Sequence, residues 1–327
     1  MGQGPADQAA RARPTAFTVS AQPWWRRAIP FVLALGLLAF VLSRLDLATF
    51  ALHLARVNYP AFIGFAVVFV LALLTADAFA TALVYRATIA RVSFRDLWLL
   101  RGASYLPSLL NHHVGQAFLT WFLSRVHKVP LWRVAGATLL VYASWTGALL
   151  LLAAAGLLAT GKPAAWLVLP IGAGIVYLIV IALSPARLAR TKLLGPLFEA
   201  GIKGHAIALF SRLPHVAVLF LGTWLPFWFF GVRIPLGPAL SLTPLLMVAM
   251  TLPLTPQGFG TRDVIAQQLF ESYATGNTQA ERFAAISAAT TSWAVAITLV
   301  DAVIGLLLMR IAMPRLENAH PSPADES

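Results

Sequence analysis

Six apolar runs, each near the length of a bilayer crossing, constrain this chain more than any other feature. They fall at 28–44, 60–85, 134–159, 163–183, 214–231 and 285–309, and about 20 apolar residues make one helical span. Backbone N–H and C=O groups find no water in hydrocarbon, so runs of this kind become helices. Trp24, Trp25, Tyr59, Tyr85, Trp132, Trp166 and Trp224 lie towards their ends, where amphipathic rings prefer the interface. With 59% hydrophobic and 11% charged residues among 327, the class is an all-α integral membrane protein. The net charge of +12 does not point to nucleic acid, because the basic residues flank the apolar runs and do not line one soluble face. There is no cysteine, which excludes disulfides, thiolate metal sites and a cysteine nucleophile.

Two further apolar stretches are broken. Residues 97–123, "LWLLRGASYLPSLLNHHVGQAFLTWFL", carry Pro107 and Gly115 around Asn111, His112 and His113. Residues 237–275 contain "TLPLTPQGFGTRD" at 251–263. Each half is too short to span, so both read as re-entrant hairpins that enter and leave on one side. With the N-terminus inside, 18 of the 24 Lys and Arg fall on the cytoplasmic side; Arg44, Arg56, Lys162, Arg233, Arg262 and Arg282 are the remainder. That split obeys the positive-inside rule, and turning either hairpin into a full span would invert every later loop.

The expected architecture is therefore six full spans plus two re-entrant helical hairpins in an inverted-topology repeat, both termini cytoplasmic. A polar basic tail (1–27) precedes a first repeat (28–159, hairpin 97–123); an inverted second repeat (163–310, hairpin 237–275) and a polar tail (311–327) follow. The first span lacks a small-residue cleavage site and reads as retained. Residues 193–213 read as an interfacial amphipathic helix with Glu199, Lys203, His205 and Arg212 towards water or headgroups. Discontinuous helices at matching positions of inverted repeats point to a transport site.

Broken backbone at membrane depth is tolerated where protein or a watery cavity satisfies it. In the second hairpin Pro253 and Pro256 end one helix, and Gly258 and Gly260 allow a tight turn beside Gln257. Thr261 is a candidate cap for the next helix and Asp263 suits its positive first turn. That helix start, with Arg262 beside it, is an expected anion site. The first hairpin offers a similar start at Gly115 and Gln116, with Asn111, His112 and His113 as donors. The plainer alternative is a pair of helix–turn–helix corners whose polar residues only satisfy backbone. Asp77 and Asp301 lie inside apolar runs, where insertion costs roughly 2.5–3.5 kcal/mol. Arg101 is a candidate partner for either; coupling and a structural ion pair both remain open. Adjacent His112 and His113 diverge, so no metal site is expected, and no cofactor or catalytic residue is indicated.

The motif "LPLTPQGFGTRD" at 252–263 resembles the proline, glycine and Arg-acidic signature of the flippase-like family of the lysylphosphatidylglycerol synthase transmembrane domain. The stretch "LPSLLNHHVGQAFLTWFLSRVHKVPLWRV" at 106–134 resembles that family's other turn. The resemblance runs from the first span to Arg310. It implies a multi-pass protein of the bacterial inner membrane that moves or binds a lipid, such as an aminoacylated phospholipid, a polyprenyl phosphate or a hopanoid-related lipid. It carries a binding role onto Pro107, Gly115, Gln116, Pro253, Pro256, Gly258, Gly260, Arg262 and Asp263. The family often has an acidic residue in place of Gln116 and glycine in place of Gln257, which changes the charge at the suspected site. No soluble synthase domain is recognised, so aminoacyl transfer is not expected.

The leading expectation is a lipid flippase or lipid-binding transporter that holds an anionic headgroup between the two hairpin tips, with a membrane lipid as substrate and a lipid-synthesis enzyme as a candidate partner. A membrane-embedded enzyme or assembly factor in lipid or glycolipid synthesis, and a proton-coupled small-solute carrier, are the alternatives.

Overall fold

The computed structural model describes residues 47–89, 92–161, 165, 168–250 and 261–317. The expected span at 28–44 and the turn residues Pro253, Pro256, Gln257, Gly258 and Gly260 lie outside them. Among the described residues the fold is helical, with one isolated bridge between Val232 and Ala274. Helices α1 (Leu47–Ala55) and α2 (Tyr59–Thr88) lead into a helical hairpin of α3 (Phe94–Ala103), α4 (Tyr105–Ser108) and α5 (His112–His127). Then come α6 (Leu131–Ala159), α7 (Val168–Leu183), α8 (Ala186–Ala189), α9 (Gly195–Ser211) and α10 (Leu213–Trp224). A 3-10 turn, Leu225–Phe230, extends α10; α11 (Leu236–Met250), α12 (Thr261–Phe270) and α13 (Gln279–Glu317) complete the chain.

Among the described residues, four helices are long and apolar enough to cross a membrane: Tyr59–Thr88, Leu131–Ala159, Gly195–Phe230 and Gln279–Arg315. In α2 the reason is visible residue by residue. Asn58 caps its start by accepting from Ala61 N at 3.2 Å. Phe62, Ala66, Phe69, Leu74, Ala78, Ala82 and Tyr85 recur at three- to five-residue steps and are buried. The opposite face, with Ile63, Val67, Val68, Leu71 and Phe79, is apolar and exposed, as befits a helix whose outer neighbour is hydrocarbon.

The expected span at 163–183 appears as the shorter α7, described from Val168 onward. The stretch 193–213 departs from expectation: α9 runs into α10 and packs against α6 and α2. Glu199 and Lys203 do face outward, and Glu199 pairs with Arg133 at 2.7 Å. His205 and Arg212 are buried instead, at 7% and 1% exposure. His205 is held by Tyr177 Oη at 2.8 Å. Arg212 turns inward because a buried carboxylate is waiting for it.

The first hairpin is formed as a broken helix. Ser93 caps α3 by accepting from Asp96 N, and its hydroxyl donates to the Asp96 carboxylate at 2.6 Å, a reciprocal cap. The chain turns at Leu109 and Leu110, and Asn111 starts α5 by accepting from His113 N at 2.8 Å. Gly115 is therefore not the turn. It lies inside α5, where an added Cβ would stand 2.7 Å from the Ser104 carbonyl oxygen, so its missing side chain lets the two arms touch.

The hairpins open at opposite ends of α13. Asp96 at the start of the first is paired with Arg315 near the end of α13. At the other end Arg233 N donates to Tyr273 O at 3.0 Å, which joins the two ends of the second hairpin to each other, and Arg282 near the beginning of α13 reaches Glu271 at 3.4 Å.

Candidate functional site

The most unusual chemistry sits deep in the bundle around Asp77, midway along α2 and 5% exposed. Arg101, in the last turn of α3, donates from Nε to Oδ2 at 2.5 Å. Arg212, between α9 and α10, donates from Nη1 to Oδ1 and from Nη2 to Thr81 Oγ1 at 2.7 Å. Thr81, one turn beyond Asp77, donates back to Oδ1 at 3.4 Å. His215 places Nδ1 3.7 Å from the same oxygen.

A lone carboxylate here would be prohibitive; paired on both oxygens, it becomes the hub of three segments. Two guanidinium groups nevertheless face one carboxylate, so the cluster carries a surplus positive charge. Arg101 spends Nη1 on Gln116 Oε1 at 3.1 Å, a neutral acceptor that leaves the surplus intact. An acidic side chain at that position would cancel it. Gln116 Nε2 and Arg212 Nε are buried without partners among the described residues, so the cluster retains donor capacity.

Asn111, His112 and His113 are exposed at the hairpin tip, and the His112 ring meets Tyr142 edge-on at 6.3 Å. They border the cluster without joining it. Asp301, on α13, makes no ion pair within 4 Å among the described residues. One turn later, Gly305 presses on the backbone of Leu106, where a Cβ would sit 2.7 Å from the amide nitrogen. Of the two carboxylates offered to Arg101 by the sequence, the fold selects Asp77.

At the second hairpin, Thr261 is the first helical residue of α12 and buried. Asp263 is buried and accepts from Thr290 Oγ1 of α13. Gln267, one turn on, donates to Phe283 O at 2.8 Å. Arg262 lies elsewhere, among the residues that line a cavity of about 70 Å³ with Phe69, Thr223, Phe227, Leu246, Thr290 and Trp293. No first-hairpin residue is among its described walls. Eight residues along α2 separate Phe69 from Asp77, roughly 12 Å of helix, so the two hairpins present two cationic centres at different depths.

His215 and Thr81 escape the sequence reading, and Arg212 is read there as facing water or headgroups. A signal is present: an arginine in the middle of a continuous apolar helix of 36 residues, Gly195–Phe230, is misplaced unless it meets an anion. Dividing that helix at Leu213 hides it.

With this geometry in hand, comparison with known proteins decides the family. The family described as "Lysylphosphatidylglycerol synthase TM region" matches residues 27–298. The chain belongs to it. No curated protein and no solved structure matches. The lysylphosphatidylglycerol synthase TM region match contains both hairpins, all of the Asp77 cluster and Arg262, while Asp301 lies just beyond it.

Proposed function

We propose that this chain is a lipid transporter of flippase type, which takes the anionic headgroup of a membrane lipid at the tip of the first hairpin while the acyl chains stay in the bilayer. The observation that carries the reading is the surplus positive charge of Arg101 and Arg212 around Asp77, buried at mid-depth beside the exposed tip residues Asn111, His112 and His113. A headgroup crossing hydrocarbon needs its charge compensated on the way, and a buried guanidinium with donors to spare does this where water cannot. Charged groups inside membrane helices mark substrate or ion pathways as a rule. The opposed hairpins are consistent with an inverted repeat whose halves alternate access around a central site. Family membership supports a lipid-related role, and a bacterial inner membrane is the setting we infer. A lipid-synthesis enzyme would be the natural partner.

The direct test is reconstitution of the purified full chain into liposomes with labelled phosphatidylglycerol, aminoacylated phosphatidylglycerol or polyprenyl phosphate, scored by transfer between leaflets. Transfer above empty vesicles that falls at least about tenfold in Arg101→Gln supports the reading. Transfer no faster than in empty vesicles for every lipid overturns it.

A further inference from the structure

We infer a lipid site on the outer face of the bundle, away from the tip of the first hairpin: one acyl chain of an anionic phospholipid lies in a groove between α2, α3 and α10, with its phosphate on Arg86. The groove, of about 580 Å³, is walled by Leu71, Ala72, Ala76 and Phe79 of α2, Phe94 of α3 and Pro214 of α10. Its shape follows from the sequence of α2. Alanines at 72 and 76 are one helical turn apart, so a hollow runs along the helix between the bulky, exposed side chains of Leu71, Phe79 and Phe94. Thr75 is the polar residue of the wall, and its hydroxyl donates to Leu71 O at 2.7 Å and accepts from Trp98 Nε1 at 3.1 Å. With that hydroxyl engaged in both directions, the groove receives an apolar chain and offers a headgroup nothing.

At its end the chemistry changes. Arg86 lies seven residues after Phe79, almost two full turns and hence on the same face of α2. Its Nε donates to Val92 O at 2.8 Å, which holds the side chain against the backbone that leads into Phe94. Arg86 is exposed, and its two Nη groups have no partner among the described residues. Arg95, beside Phe94 in the first turn of α3, is exposed as well. Among the described residues neither arginine has an acidic partner. Spacing and charge then select the occupant. Leu71 stands near the middle of the 30-residue α2 and Arg86 in its last turn. At about 1.5 Å per residue the helix between them covers roughly 22 Å, close to the depth of one leaflet from midplane to headgroup zone, about 20–22 Å. A phospholipid has an apolar end and a phosphate at that separation. Two unpaired guanidinium groups favour an anionic headgroup over a zwitterionic one, whose ammonium they repel. With the N-terminus inside, this is the cytoplasmic leaflet. The inference does not rest on the lipid-transport reading, because retention of the lipid is measured without any transfer between leaflets.

The test is native mass spectrometry of the purified full chain in mild detergent, offered equal amounts of phosphatidylglycerol and phosphatidylcholine with identical acyl chains. Phosphatidylglycerol should be retained in preference, by about fivefold for each arginine engaged. Arg86→Gln should lower the preference by about that factor. Ala72→Phe, which fills the hollow from a helix face that meets lipid, should remove the preferred lipid altogether, and Arg187→Gln, at an exposed arginine of α8, should change nothing. Should Arg86→Gln fail to fold, Ala72→Phe decides alone. Equal retention of the two lipids, or a preference undiminished in Arg86→Gln or Ala72→Phe, means that only annular lipid covers this face and overturns the inference. A dimer that dissociates in Ala72→Phe while lipid retention stays the same assigns the groove to a second copy of the chain and overturns it too.

Discussion

Asp77 and Arg212 are 135 residues apart in sequence and joined through Oδ1 and Nη1 in the centre of the bundle. That contact ties α2 to the junction of α9 and α10, and Arg101 adds the first hairpin to the same carboxylate. Removing one partner of a buried pair is far worse than removing both, because it strands a charge. Asp77→Ala is therefore expected to destabilise by about 3–5 kcal/mol, and Asp77→Ala/Arg212→Leu to recover part of that loss. Thermal unfolding of the single and double variants in one detergent checks this; additive losses would show that the two residues are not coupled.

Gly115 predicts a steric effect with no charge involved. The Ser108 hydroxyl beside an added Cβ can rotate away, but the Ser104 carbonyl oxygen at 2.7 Å is backbone and cannot. Gly115→Ala should destabilise the hairpin by about 1–3 kcal/mol. Hydrogen exchange across α3 and α5 should rise locally, with α11 and α12 unchanged.

Thr290 supplies one of the contacts that hold Asp263 against α13. Thr290→Val removes that donor at nearly constant shape and should cost about 1–3 kcal/mol, whereas Thr290→Ser should keep the bond. Proteolysis or hydrogen exchange at α12 separates the two variants; equal protection in both would show that the hydroxyl is idle.

Acid should loosen the end of the bundle at Asp96, which lies outside the membrane-spanning segments. Burial acts to raise this carboxyl, but the hydroxyl of Ser93 and the guanidinium of Arg315 outweigh it and hold Asp96 below the usual carboxylate range. A depressed native value means that the stabilisation is complete above the unfolded value, near 3.9, and is lost as pH falls through the native one. The pair is partly exposed, so the effect is small and weakens with salt. Unfolding midpoints between about pH 6 and pH 3 should fall less for Asp96→Asn than for the parent chain.

Asp301 has no ion pair among the described residues, so Asp301→Asn should change stability by less than about 1 kcal/mol. Its effect on function separates two readings. If transfer in liposomes under an imposed pH gradient falls in this variant while transfer without the gradient does not, Asp301 couples protons; identical responses would show that it does not.

Much of the secondary structure is legible because helices in lipid announce themselves through composition. The runs at 60–85, 134–159 and 285–309 correspond to α2, α6 and α13. Two of these helices start just beyond Asn58 and Pro130, and α13 begins before its apolar stretch at Gln279 and continues past it to Glu317. The broken hairpin at 97–123 is legible from Pro107 and the polar tip, although its cap is Asn111 and its glycine is a contact. Arg262 is legible as a candidate cation. Arg212 is not, because from the sequence an arginine between apolar segments looks the same whether it faces headgroups or a buried acid.

The sequence alone determined that the chain is a helical membrane protein with two interrupted segments, because hydrophobic length and helix-breaking residues are local properties that act without distant partners. Tertiary structure decided which charges meet. Whether Arg101 pairs with Asp77 or Asp301, whether Arg212 turns outward or inward, and whether Arg262 finds a protein acceptor all depend on contacts between segments remote in sequence. Electrostatic energy inside a low-dielectric bundle changes steeply over a few ångströms, and only the packed helices set those distances.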